Sequence, residues 1–276
     1  MSFKTILSLI GTTNAEADID KAATLTAELE GHLSVVALRT AISPFGADYP
    51  AAAAWLNERQ KEIDGLIDVR RLADDRCRKG RLPFDIDHIY DDRFIIESNI
   101  GMRAMYADVV VAGEGIRSDT DLRKAAVAAT AFNSGTPLLL MPKTGRVSLR
   151  PKNVLLAWNS RPQAASAAKA AIEMLAGADA VHLTVVDPDT SYFGNGGEPG
   201  ADMAAYLSRH GAKVVVEQLA SGDRATEDVI RQHALELGCD MIVMGAYGHS
   251  RLRERVFGGV TASILENCDI PVFMAR

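Results

Sequence analysis

Five apolar, β-rich runs in the first half of the chain are answered by five in the second half, in the same order, and a duplication of this kind constrains both domain count and fold. Lys4 to Gly11 answers Asn153 to Ser160, and Leu33 to Arg39 answers Ala180 to Asp187. Asp85 to Asp91 answers Lys213 to Leu219, both with the polar and apolar alternation of strands near a sheet edge. Ala107 to Gly115 answers Cys239 to Gly248, and Gly135 to Pro142 answers Asp269 to Arg276. The offsets run from about 128 to 149 residues and change only between runs, which places insertions in connections. Amphipathic segments separate the runs. In the second half Ser160 is expected to cap a helix with Pro162 in its first turn, running to Leu175 and stopping at Gly177. Another is expected to begin near Asp223, to bury Val229, Ile230, Ala234 and Leu237, and to stop at Gly238. Wholly apolar strands alternating with helices predict parallel pairing with both faces covered. Each half then reads as a five-stranded, doubly wound α/β domain, one over 1–143 and one over 151–276. The short junction Lys143 to Pro151 favours an intramolecular pseudo-dimer.

Composition narrows the function classes. A hydrophobic share of 47 % against 24 % charged supports a packed core in each half, and a net charge of −6 argues against general affinity for nucleic acid or an anionic membrane. No apolar run is long enough to span a bilayer, and the start lacks a secretion signal, so a cytoplasmic location is expected. Three scattered cysteines, Cys77, Cys239 and Cys268, offer neither a disulfide framework nor a CxxC motif and read as buried thiols.

In an open parallel sheet, ligands bind beyond the carboxyl ends of the strands. There the second half carries Gly245-Ala-Tyr-Gly248, nine further residues, and Gly258-Gly259-Val260-Thr261 opening a predicted helix. Gly245 and Gly248 permit positive φ and a close ligand, and Gly258 and Gly259 place free amides at a helix N-terminus, which together describe a phosphate cradle. The spacing is neither that of a Walker A loop nor of a dinucleotide turn.

These residues resemble the universal stress protein family in its tandem two-domain form. The nucleotide-binding members of that family carry G-x2-G-x9-G followed by Ser or Thr, and Gly245, Gly248 and Gly258 match in spacing and in position after the fourth strand. The resemblance implies a Rossmann-like fold and an adenine nucleotide, ATP foremost, with no metal beyond Mg²⁺ carried by the nucleotide. It places Asn159, where the family has Asp, and Val186 beside the adenine, and Thr261 as the nearest hydroxyl to a phosphate, Gly259 standing where the family has Ser or Thr. His249 and Ser250, beside Gly248, are the side chains of the intervening stretch placed to reach the triphosphate. Gly248→Val is expected to abolish uptake, and the corresponding change at Gly115 to alter it little.

The first half has Gly113-Glu-Gly115 without a second glycine pair, and Glu114 sets a negative charge where phosphate would lie, so this copy is expected to be empty of ATP. Asp85, Asp87, His88, Asp91 and Asp92 read as a solvated edge strand rather than a metal site, and His182 as a satisfied core residue. Pro188 to Gly200 is long enough for a flap. The leading function is a cytoplasmic stress-response protein that senses an adenine nucleotide and acts through a protein partner, with room for a homodimer. A scaffold without nucleotide, and an enzyme limited to slow ATP hydrolysis, are the alternatives.

Overall fold

A computed structural model describes residues 3–42, 49–189, 197–246 and 269–276. The chain divides into two compact units, Ser2–Thr136 and Pro137–Arg276.

The N-terminal unit contains strands β1 (Thr5–Ile10), β2 (His32–Thr40), β3 (Phe84–Asp91) and β4 (Val109–Ala112). They lie in the order β3-β2-β1-β4 and every pair is parallel. Its helices are α1 (Ala15–Leu29), α2 (Tyr49–Lys79), α3 (Arg93–Ala104), α4 (Glu114–Arg117) and α5 (Thr120–Ala128), the last continuing into a π-helical segment, Ala129–Ser134. Ile6, Leu9 and Ile10 of β1 and Val109 to Ala112 of β4 are fully buried, which accounts for their unbroken apolar runs. β3 closes one side of this unit and is half-buried along all but one of its residues. The 31-residue α2 accounts for the fall in repeat offset between the second and third runs, since the second unit spans that connection with a helix of nine residues. Arg39, at the carboxyl end of β2, ties the unit together: its Nε and Nη2 donate to Glu62 on α2 at 2.9 and 2.7 Å, and the Tyr90 hydroxyl of β3 donates to the same carboxylate at 2.8 Å.

The C-terminal unit contains β5 (Leu138–Leu140), β6 (Asn153–Ala157), β7 (Ala180–Val186), β8 (Val214–Leu219), β9 (Met241–Gly245) and β10 (Val272–Ala275). Their order is β5-β10-β9-β6-β7-β8, parallel throughout except that β5 runs antiparallel to β10. The last strand of the first repeat therefore lies in the second compact unit, against the strand that corresponds to it.

The helices of the second unit are α6 (Pro162–Ala170), α7 (Ile172–Gly177), α8 (Ala201–Arg209) and α9 (Thr226–Glu236). Two expectations are corrected here. The cap of α6 is Arg161, not Ser160, which takes a left-handed conformation (φ 55°) in the turn, and the helix breaks at Ala171 before resuming as α7. α9 starts at Thr226, three residues after Asp223, with Glu227 and Asp228 in its first turn, and it ends before Gly238 (φ 64°).

Both units share an anchor that the apolar pattern does not reveal. The Asp108 carboxylate accepts from the amides of Lys4 and Thr5 at 2.6 and 2.8 Å, and Asp240 accepts from Lys152 and Asn153 at 2.9 and 3.1 Å. The aspartate before each fourth strand thus pins the start of each first strand. This repeats the duplication at the level of single hydrogen bonds. Cys77 and Cys239 are buried free thiols, and burial pushes the Cys239 thiol up to about 12.

Candidate functional site

The strand order reverses between β1 and β4 in one unit and between β6 and β9 in the other, and the crevice of a doubly wound sheet opens at the carboxyl ends of those pairs. In the C-terminal unit Ala157 pairs with Thr184 and Leu156 with Val243. Val186 and Gly245 end β7 and β9, the neighbours of β6 on its two sides, and Asn159 lies in the turn two residues past the end of β6. The structure therefore brings together three of the ten residues singled out above. The other seven, Gly248, His249, Ser250, Gly258, Gly259, Val260 and Thr261, lie outside the described residues, as does most of the stretch from Pro188 to Gly200.

The three have distinct local causes. Asn159 is exposed in the turn after β6, and its Oδ1 accepts from the Arg161 amide at 3.2 Å, which leaves an NH₂ donor as the group it can offer a ligand. Val186 closes β7 half-buried, and the next residue, Asp187, adopts φ 47° and accepts from the Ser221 amide at 2.9 Å. Those hydrogen bonds from Ser221 hold the Asp187 carboxyl below the ordinary carboxylate range. Gly245 does not use positive φ. It is small because the first turn of α6 passes over it: a Cβ there would lie 2.6 Å from the Ala164 amide nitrogen.

The matching turn of the N-terminal unit holds a side chain of that unit. Asp18, on the first turn of α1 and 1 % exposed, accepts from the amides of Glu114 and Gly115 at 3.1 and 2.8 Å. Those two amides open α4, so a side-chain carboxylate sits where an external anion would be drawn. The glycines around it leave no other room. A Cβ on Gly113 would fall on the Asp18 carboxylate, and one on Gly11 would lie 2.6 Å from the Gly115 carbonyl oxygen. Glu114, the residue expected to repel phosphate, instead faces Arg117 at 3.7 Å, and the anion that closes the turn comes from 96 residues away. A Cβ on Gly115 would collide with the Thr13 carbonyl, so its replacement strains the N-terminal unit and is a poor control for uptake by the other. Beside this turn a crevice of about 180 Å³ remains, lined by Thr12, Thr13, Arg39, Gly115, Ser118, Asp119 and Leu122. That is below the roughly 300 Å³ at which small-molecule pockets begin.

Burial raises the Asp18 carboxyl above its ordinary 3.8, the amides of Gly115 and Glu114 and the charge of Lys21 opposing the rise. A folded-state pKa above the unfolded one means that the folded chain holds the extra proton between the two values. The stability that Asp18 contributes is therefore full in acid and falls as the pH rises from 3.8 through the raised value. Urea unfolding of the wild type and of Asp18→Asn between pH 3 and 7 checks the sign: the stability of the wild type relative to the variant should decline as the pH rises.

The other clusters have structural partners. Asp85 accepts from Ser34 at 2.9 Å and meets the His32 ring at 2.8 Å, Asp87 pairs with Arg103, and Asp92 caps α3 through the amides of Phe94 and Ile95. His182 lies 3.4 Å from Glu217, whose other oxygen meets His233 at 2.8 Å. Among the described residues no group of three or more His, Cys, Asp or Glu could hold a metal ion. No described helix is long and apolar enough to cross a membrane.

Comparison with known proteins bears on the second unit and on the fold. The model of the universal stress protein family matches residues 151–276. Residues 151–276 therefore resemble a universal stress protein domain. Universal stress protein Slr1230 of Synechocystis is 37 % identical over 70 residues, which is 25 % of this chain and 23 % of that protein. The shared stretch thus spans under a quarter of that relative. The crystal structure of a universal stress protein from Archaeoglobus fulgidus resembles 98 % of this chain over 96 % of its own, with a TM-score of 0.65 at 14 % identity. A Pseudomonas aeruginosa protein of unknown function covers 99 % of this chain over 92 % of its own, with a TM-score of 0.56 at 16 % identity. These two show the fold of the whole chain, tandem repeat included.

Proposed function

We propose that this chain is a universal stress protein and binds one adenine nucleotide, ATP foremost, in its C-terminal unit, while its N-terminal unit is kept ligand-free by Asp18. One observation carries the reading: the turn after β4 holds a carboxylate on its two amides, supplied by the first turn of α1. The corresponding first turn, in α6, has no acidic residue and presents Ala164 and Ala165 instead. A repeat without that internal carboxyl leaves a place that an anion from outside would take. Asn159 and Val186, at the carboxyl ends of β6 and β7, would meet the base, and Mg²⁺ would be held by the phosphates and water. The protein then acts as a cytoplasmic sensor: occupancy orders the segment from Gly245 to Gly258, and a protein partner reads that order.

A scaffold without nucleotide is the second reading, favoured by the packing reason that α6 gives for Gly245. Extraction of the purified chain with analysis for co-bound nucleotide, followed by calorimetric titration with ATP, ADP and AMP, separates them. The sensor predicts retained nucleotide without turnover, and no measurable uptake supports the scaffold.

A further inference from the structure

β8 gives the sheet of the C-terminal unit an open edge. It pairs with β7 on one side and with no described strand on the other. The Val181 amide donates to the Lys213 carbonyl and the Asp187 amide to the Leu219 carbonyl, both at 2.9 Å, which turns the odd-numbered residues of this strand toward β7. Alternate residues of a parallel strand face opposite neighbours. The N–H and C=O groups of Val214, Val216 and Gln218 therefore point away from the sheet, over about 13 Å of strand.

The edge is apolar on both faces. Val215, on the side where Glu217 meets His233 of α9, is 50 % exposed, and Val216, which faces Gly200 at the start of α8, is 39 % exposed. Among the described residues they are the exposed large apolar side chains that stand on a strand. The acid of this strand, Glu217, is claimed by His182 and His233 at 3.4 and 2.8 Å. The corresponding strand of the first repeat is protected differently. β3 carries Asp85, Asp87 and Asp91 and lies against the 31-residue α2, whereas α8 has nine residues. Charges and a covering helix keep an edge from pairing with a foreign strand, and β8 leaves its outer residues exposed instead.

We propose that β8 receives an extended segment of another protein as an additional antiparallel strand, one that alternates apolar residues and ends in acidic ones. Main-chain hydrogen bonds to Val214, Val216 and Gln218 supply the affinity. Charge selects the end. Arg209, in the last turn of α8, and Lys213 are exposed at the start of β8, and neither is in an ion pair among the described residues. An antiparallel partner brings its carboxyl end there, so acidic residues at that end complement the two cations. Binding at this edge needs no nucleotide.

A fluorescein-labelled heptapeptide, Thr-Val-Thr-Val-Thr-Asp-Asp, titrated into the full chain tests the proposal by fluorescence anisotropy, beside the same peptide with two lysines in place of the aspartates. The acidic peptide should bind saturably and the lysine peptide about tenfold more weakly, and Lys213→Glu should reverse that order. N-methyl groups on one alternate set of peptide residues should weaken binding by at least about tenfold, and on the other set should leave it unchanged. Gln218→Pro should also weaken it by at least about tenfold, because it removes an outward N–H. The ladder to β7 keeps its own donors, so the circular dichroism and melting temperature of this variant should stay at the wild-type values. Hydrogen exchange should slow at Val214, Val216 and Gln218 when the acidic peptide binds. Protection of those three amides in the free chain, as when a segment of the chain itself or a second copy occupies the edge, would overturn the proposal. So would a peptide that fails to bind, or one indifferent to which set is methylated.

Discussion

Asp18→Ala should lower the stability of the chain by about 2–4 kcal/mol, because it strands the amides of Glu114 and Gly115 beneath a buried turn and removes two hydrogen bonds to a charged acceptor. The loss should fall on the N-terminal unit, and thermal or urea unfolding with a probe in each unit would separate the two transitions. Asp18→Asn keeps one oxygen acceptor and should lose less, on the order of 1–2 kcal/mol. Formate, small enough for the vacated volume, should return part of the loss in the alanine variant and none in the wild type. If alanine costs under about 0.5 kcal/mol, as an ordinary surface substitution would, the carboxylate does not hold the turn.

Gly248→Val carries the second large effect. Bulk in the middle of the G-x2-G-x9-G pattern should exclude the phosphates and lower nucleotide affinity at least a hundredfold, about 2.7 kcal/mol, with the melting temperature of the free protein little changed. Asp18→Asn is the proper control in the first repeat, because it alters the turn without adding atoms, and it should leave nucleotide affinity within a factor of two. Equal losses from both variants would contradict the division of labour between the repeats.

Much of the fold was legible because strands buried on both faces must be apolar throughout. The runs around Ile6, Val110, Leu155 and Val243 could be nothing else once they recurred in order. The edge strands betrayed themselves by alternation at Asp85 to Asp91. What escaped was set by contacts distant in sequence or by turn geometry. Asp18 reads from sequence alone as an acid favoured by the positive end of α1, and nothing local announces that the amides it meets follow β4. Asp108 and Asp240 stand at corresponding places in the repeat, yet an aspartate before a strand has many uses until its partners are seen. Ser160 has the chemistry of a cap, but Asn159 claims the Arg161 amide and Ser160 takes the left-handed turn instead. The candidate site was legible in type through its glycines, whereas the reason for Gly245 was not, since the crossing of α6 over β9 is a tertiary fact.

Hydrogen exchange at individual amides, with and without ATP, tests the asymmetry between the repeats most directly. The amides of Glu114 and Gly115 should be protected from the outset and unmoved by ATP, while those from Gly248 to Thr261 should exchange freely in the apo protein and slow by at least tenfold when nucleotide is added. Protection of the second set before any nucleotide is present, or a gain of protection at Gly115 on its addition, would contradict the account.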